Sequence, residues 1–227
     1  MRRAGIGEQR ARAREAIAEM APAFLEEIIL GFANDPETAN LAVEGLGQIP
    51  TPTSRADLVQ LFDKSADLRL RVLIVDKLAR IGTREESAFF SSLLSGRSTG
   101  LDDQIHIFAA LGLGRLGGEE AVKALENGPQ SPNPEVRAAV VVALGNTKSR
   151  AAIQVLTQMY ADPDGRVQND VCAAFATLTH YQWCDGGGTV TETQARWREW
   201  WRRHASQLTL YGLDQCPEFG ASWPVVK

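Results

Sequence analysis

Three histidines, His106, His180 and His204, are the side chains best suited to move a proton or hold a metal near neutral pH. They stand far apart, and none sits in a ligand spacing such as H-E-x-x-H, so no metal is expected. His180 and Cys184 are the one local pairing of a base with a thiol. A nucleophile needs its base within hydrogen-bond reach, and this pair reads as an accidental neighbourhood in a loop. The acidic pairs Asp102, Asp103 and Glu119, Glu120 could be imagined sharing a proton, but each falls where a helical pattern begins and negative charge complements the helix dipole. Gly186, Gly187 and Gly188 lack the flanking lysine and preceding strand of a phosphate loop, and Gly112, Gly114 and Gly117 lie inside a helical pattern. With no G-x-S-x-G elbow either, no catalytic residue and no cofactor is expected.

Trp197, Trp200 and Trp201 fall at i, i+3 and i+4 and share one helical face. The simpler reading is an apolar seal over the end of the chain's core; the alternative is an aromatic platform for stacking, with Arg196, Arg202 and Arg203 beside it as anion contacts.

The elements that position these residues repeat. Five segments align on the apolar anchors Leu46, Leu78, Leu113, Leu144 and Phe175, spaced by 32, 35, 31 and 31 residues. Eleven residues before each anchor stands Asp35, Asp67, Asp102, Asn133 or Asp164, and Asp or Asn is a preferred helix N-cap. Residues eight and four before the anchor, the anchor, and the third after it form one apolar stripe, as in Ile105, Ala109, Leu113, Leu116. The next column holds Gly47, Ala79, Gly114, Gly145 and Ala176, small enough for neighbouring helix backbones to meet. A second apolar-periodic segment follows each first helix, and strand-like alternation is absent. The pattern predicts an all-α, right-handed α-solenoid of about six helical hairpins over residues 1–204. Residues 1–33 would be a degenerate N-terminal cap, 190–204 a C-terminal cap helix, and 205–227 an extended tail packed back on the solenoid.

At 227 residues with 44% hydrophobic and 23% charged residues, the chain can bury enough apolar surface to fold. A net charge of -4 disfavours nucleic acid as a partner. No apolar run is long enough for a membrane span, which implies a soluble protein, cytoplasmic or, if a leader has been removed, periplasmic or secreted. Cys172 falls on an apolar helix face and is expected as a buried free thiol, while Cys184 and Cys216 could bridge in an exported protein.

Asn133 to Gly145, reading NPEVRAAVVVALG, resembles the bacterial HEAT-like repeats first described in phycobilisome lyase subunits, and Ala66 to Ile81 and Leu101 to Gly117 are looser copies. The pattern's arginine is present as Arg71 and Arg137, whereas the same column holds Ala39, His106 and Gln168. The glycine-rich Asp185-Gly186-Gly187 followed by ARWREWW is similar to the tryptophan-bearing C-terminal cap of such proteins. Neither resemblance names a function, since such proteins include scaffolds, chaperone-like factors and a minority of enzymes. A curved array of paired helices offers an extended surface for binding another protein, and the resemblance adds two alternatives, a nucleic-acid-binding or DNA-repair protein and a tetrapyrrole lyase-type partner subunit. The His-Glu pairs that hold iron in related hydroxylases do not occur here. On the scaffold reading the expected contacts are Arg55, Arg84, Glu120, Lys123 and Arg150 on second-helix surfaces, with Arg196, Arg202 and Arg203 at the C-terminal edge.

Overall fold

The computed structural model describes residues 22–33, 35, 37–95, 102–180, 184 and 187–206. Among these residues the chain is all helix and turn, with no strand. The stripe around Ala13 to Met20, the tail beyond Ser206 and Cys216 lie outside the described residues. The chain forms two compact units, one ending at Ile81 and one beginning at Gly82.

In the first unit, α1 (Pro22–Phe32), α2 (Ala39–Leu46), α3 (Pro52–Lys64) and α4 (Leu68–Ile81) pack around Leu46, Leu58, Phe62, Ile74 and Leu78, all buried. Thr51 caps α3 by accepting from Ser54 N at 3.1 Å, with Pro52 at the first helical position where its missing N–H costs nothing. Arg71 lies over the Phe62 ring, 4.1 Å from its centroid.

In the second unit, α5 (Ser87–Ser95) is followed by α6 (Asp103–Leu116), α7 (Gly118–Leu125), α8 (Pro134–Asn146), α9 (Arg150–Met159), α10 (Gly165–Thr179) and α11 (Val190–His204). The first helices α6, α8 and α10 form one row with α8 in the middle, and α5, α7, α9 and α11 form the second row. Covered on both sides, α8 buries Val136, Ala139, Val140, Val141, Ala143 and Leu144, which is why its apolar residues surround the helix instead of forming a stripe.

All five anchors are at most 2% exposed, each near the end of its helix in α2, α4, α6, α8 and α10. The small-residue column works as expected. A Cβ on Gly114 would stand 2.6 Å from Ala143 Cα, so α6 and α8 touch through bare backbone there. Gly114→Ala is therefore expected to destabilise by about 1–3 kcal/mol, since overpacking against backbone outweighs the roughly 1 kcal/mol gained in helix propensity. Gly165→Ala, with nothing near its would-be Cβ, should be neutral or slightly stabilising. Comparing the two thermal unfolding midpoints checks this, and an equal response at both positions would remove the close-approach argument.

The cap column holds at three of its five positions. Asp67, Asn133 and Asp164 accept from Arg69 N, Glu135 N and Arg166 N at 2.9, 2.8 and 2.8 Å. Asp35 does not cap an α-helix: its carboxylate accepts from Glu37 N at 3.1 Å and opens a turn, and α2 starts only at Ala39. Asp102 precedes α6 but its side chain bonds none of the helix's N–H groups. The reason is backbone geometry. Its ψ of 9°, against 119° at Asn133 and Asp164, turns the carboxylate away from the first turn, whereas capping requires an extended residue.

The cysteine expectation is also corrected. Cys172 is not a free thiol; it is bonded to Cys184, with Cα atoms 6.0 Å apart, so Cys184 cannot pair with Cys216. The chain reverses at His180, the left-handed C-cap of α10 (φ 57°), and returns Cys184 to the side of the helix it has just left.

Candidate functional site

The second-helix row ends at α11, whose position follows from its own residues. Thr189 and Glu192 form a reciprocal capping box, with Thr189 Oγ1 accepting from Glu192 N at 3.3 Å and Glu192 Oε2 accepting from Thr189 N at 2.7 Å. The basic last turn, Arg202, Arg203 and His204, complements the C-terminal end of the dipole. Trp197 is 2% exposed and lies against Phe175 and Tyr160, with ring centroids 4.1 and 4.8 Å away. Of the three tryptophans that share this helical face, Trp197 is buried and Trp200 and Trp201 are half-buried. Gln194 Nε2 donates to Thr157 O at 2.7 Å and fixes α11 against α9.

Between α9 and α11 lies a groove of about 560 Å³, lined by Ile153, Gln154, Thr157 and Gln158 from one helix and Gln194, Arg198, Trp201 and Arg202 from the other. A second depression, of about 620 Å³, continues past the shared Gln154 and Gln158 toward Glu126 and Asp162. The guanidinium of Arg150 stands 6.0 Å above the Trp201 ring at the groove's edge. The lining thus runs from cationic beside α11, through a stretch of amides, to anionic beside the end of α7. A floor of amides with two charged ends can hydrogen-bond an extended chain and read its direction by charge.

The residues expected at a partner surface are distributed unevenly. Arg202 lines the groove, and Arg150 stands over the ring of Trp201, which also lines it. Arg55, in the first unit, is 5% exposed and its Nη1 donates to Pro50 O at 3.1 Å, so it supports the turn before α3 and offers no partner surface. Arg84 is exposed in the short 3-10 helix Arg84–Glu86, and Glu120 and Lys123 are exposed on α7. Arg196 is exposed and donates to Gly187 O at 2.7 Å and Thr193 Oγ1 at 3.0 Å, holding the glycine-rich loop. Arg203 and Arg202 both bridge Glu199, at 2.6 and 2.9 Å, and their hydrogen bonds, Arg202 first, push its carboxyl down to about 2. Glu199 therefore stays charged and holds both cations in place, while the exposure of these pairs leaves them little effect on stability. Sequence reading passed over Arg198 and the glutamines Gln154, Gln158 and Gln194. The signal available was their recurrence at helical spacing on α9 and α11.

His180 and Cys184 are not a catalytic pair, because the thiol is bonded to Cys172. Burial lowers the His180 pKa.

Residues 90–176, from α5 through most of α10, match the family of HEAT repeats. The matched stretch contains α7, α8 and α9 and most of the row α6, α8, α10, so one wall of the groove lies inside the match and the other, α11, outside it. No curated protein matches the chain. Among solved structures, human deoxyhypusine hydroxylase in complex with glycerol is similar at 15% identity, covering 78% of this chain and 84% of that one with a TM-score of 0.33, a likeness that carries nothing of its chemistry to this chain.

Proposed function

We propose that the chain is a non-enzymatic adaptor that holds an extended, acidic segment of another protein in the groove between α9 and α11. The observation that carries this reading is the lining itself, in which Arg198, Arg202, already bridged to Glu199, and a half-buried Trp201 face a row of glutamines, with no acidic residue among the described lining residues. A half-buried tryptophan flanked by arginines is the composition of an interface hot spot, and amides suit the main chain of a bound strand or turn. HEAT repeats generally act as protein-interaction scaffolds, which agrees with this use. We also infer an oxidising compartment, periplasmic or extracellular, in preference to the cytoplasm, because a disulfide linking Cys172 and Cys184 persists only there.

Fluorescence anisotropy with labelled Glu/Asp-rich and Lys/Arg-rich peptides, beside single-stranded DNA of equal charge to the acidic peptide, tests the reading. Selective binding of the acidic peptide is expected, weakened tenfold or more by Trp201→Ala and by Arg198→Glu, about 1.4 kcal/mol or more for each. DNA binding tighter than peptide binding would replace this function with the nucleic-acid alternative, and peptide binding unaffected by both substitutions would remove the groove from it.

A further inference from the structure

The column that carries arginine in the matching repeat pattern carries histidine in α6, and that exchange changes what surrounds it. In α8 the residue is Arg137, bonded to the Asp162 carboxylate and to the carbonyls of Ser131 and Pro132. In α10 it is Gln168, whose Nε2 donates to Asp162 O at 2.6 Å. In α6 it is His106, only 5% exposed, and its ring makes no hydrogen bond to any described residue. A neutral imidazole keeps one ring nitrogen with an acceptor lone pair, which can serve a ligand.

Asp102 and Asp103 provide the rest of a donor set. Helical side chains tilt toward the N-terminus, so the residue four positions into α6 lies beneath the residue before it, and one oxygen each of Asp102 and Asp103 and one ring nitrogen of His106 all fall within 4.8 Å of one another. Two donors on one zinc-type ion stand up to about 4 Å apart, so small side-chain rotations close the set. The ψ value that prevents Asp102 from capping α6 leaves its carboxylate off the helix's N–H groups. Asn133, the cap of the next first helix, donates from Nδ2 to Asp103 Oδ2 at 2.6 Å and orients that carboxylate, as the partners of metal ligands do. The N-terminal half-charge of α6 opposes a cation, but two carboxylates exceed it several-fold.

We propose that Asp102, Asp103 and His106 bind one divalent first-row transition ion of the zinc or cobalt type, with Asn133 as the positioning residue. Two carboxylates and an imidazole suit these ions better than magnesium or calcium, which take oxygen donors throughout. Three protein ligands leave at least one coordination position for water or a partner's side chain. The site departs from the expectation, drawn from spacing alone, that the chain holds no metal. It is independent of the groove, and either proposal can fail alone.

Tag-free protein, dialysed against chelator, would be titrated with Co2+ while recording its visible absorption, and with Zn2+ by calorimetry. One saturable equivalent of each is expected, with Mg2+ failing to compete at a hundredfold excess. His106→Gln and Asp103→Asn should each weaken Co2+ binding tenfold or more, whereas His204→Gln and His180→Gln should leave it unchanged. Asn133→Ser, which keeps a cap on α8, should weaken it several-fold. Far-ultraviolet circular dichroism verifies that each variant is folded. If His106→Gln unfolds the protein, Asp103→Asn and the proton ring resonances of wild-type His106 with and without Zn2+ decide instead. Absence of a saturable equivalent, unchanged binding in Asp103→Asn, or a His106 ring signal indifferent to Zn2+ would overturn the proposal.

Discussion

Asp162→Ala is expected to lower the unfolding free energy by about 3–5 kcal/mol, because it strands a buried guanidinium. Arg137 meets Asp162 through two parallel bonds, Nε to Oδ2 at 2.7 Å and Nη2 to Oδ1 at 2.8 Å, with side-chain exposures of 10% and 7%. Asp162 also accepts from Asp164 N at 2.9 Å, so one carboxylate ties α8 to the turn that starts α10. Replacing both partners by apolar residues should cost less than either single change, since the desolvation cost then disappears together with the attraction. The pair also sets an acid limit. Its hydrogen bond to Arg137 holds the Asp162 pKa below the ordinary carboxylate value, so the contribution is complete above about pH 4 and is lost as pH falls through the lowered folded value. Urea unfolding at pH 7 and pH 3 of wild type, both single variants and the double variant measures all of this. A double-variant cost equal to the sum of the two single costs would show that the bridge adds nothing beyond its parts.

Reduction of Cys172–Cys184 is expected to lower stability by about 3 kcal/mol, the chain-entropy value for a loop closed across a sequence separation of 12. The effect should concentrate on α11, because the bridge anchors the segment that leads into it, and Trp197 is seated against Phe175 of the helix that carries Cys172. Tryptophan emission should shift red before the helical signal of α6, α8 and α10 is lost, and affinity at the groove should fall with it. Thiol titration of denatured, unreduced protein should return one thiol from the three cysteines. Three thiols, or an unfolding midpoint insensitive to reductant, would rule out the bridge and the inference of an oxidising compartment with it.

The repeat was legible because its causes are local or periodic. Burial of Leu46, Leu78, Leu113, Leu144 and Phe175 follows from one apolar stripe per first helix, and Gly114 and Gly145 declare the close backbone approach that their neighbours Ala143 and Ala174 complete. Trp197 was legible for the same reason, as the one member of an i, i+3, i+4 set that finds Tyr160 and Phe175 beneath it. The caps were legible only in part. An Asp at a helix start is a signal of residue type, but whether its oxygen reaches an N–H depends on ψ, which residue type does not fix, as at Asp102.

What this sequence determined by itself is therefore the all-helical character, the hairpin period and the identity of the core, since each rests on contacts within a helix or on a spacing repeated every thirty-odd residues. Tertiary structure alone decided the rest. A reversal at His180 chose Cys184 over Cys216 as the partner of Cys172, and packing of α11 on α9 assembled Arg198, Trp201 and the glutamines into one groove. Each of these joins residues on separate elements or across a turn, and their separation is set by backbone angles and packing distances that no residue type encodes.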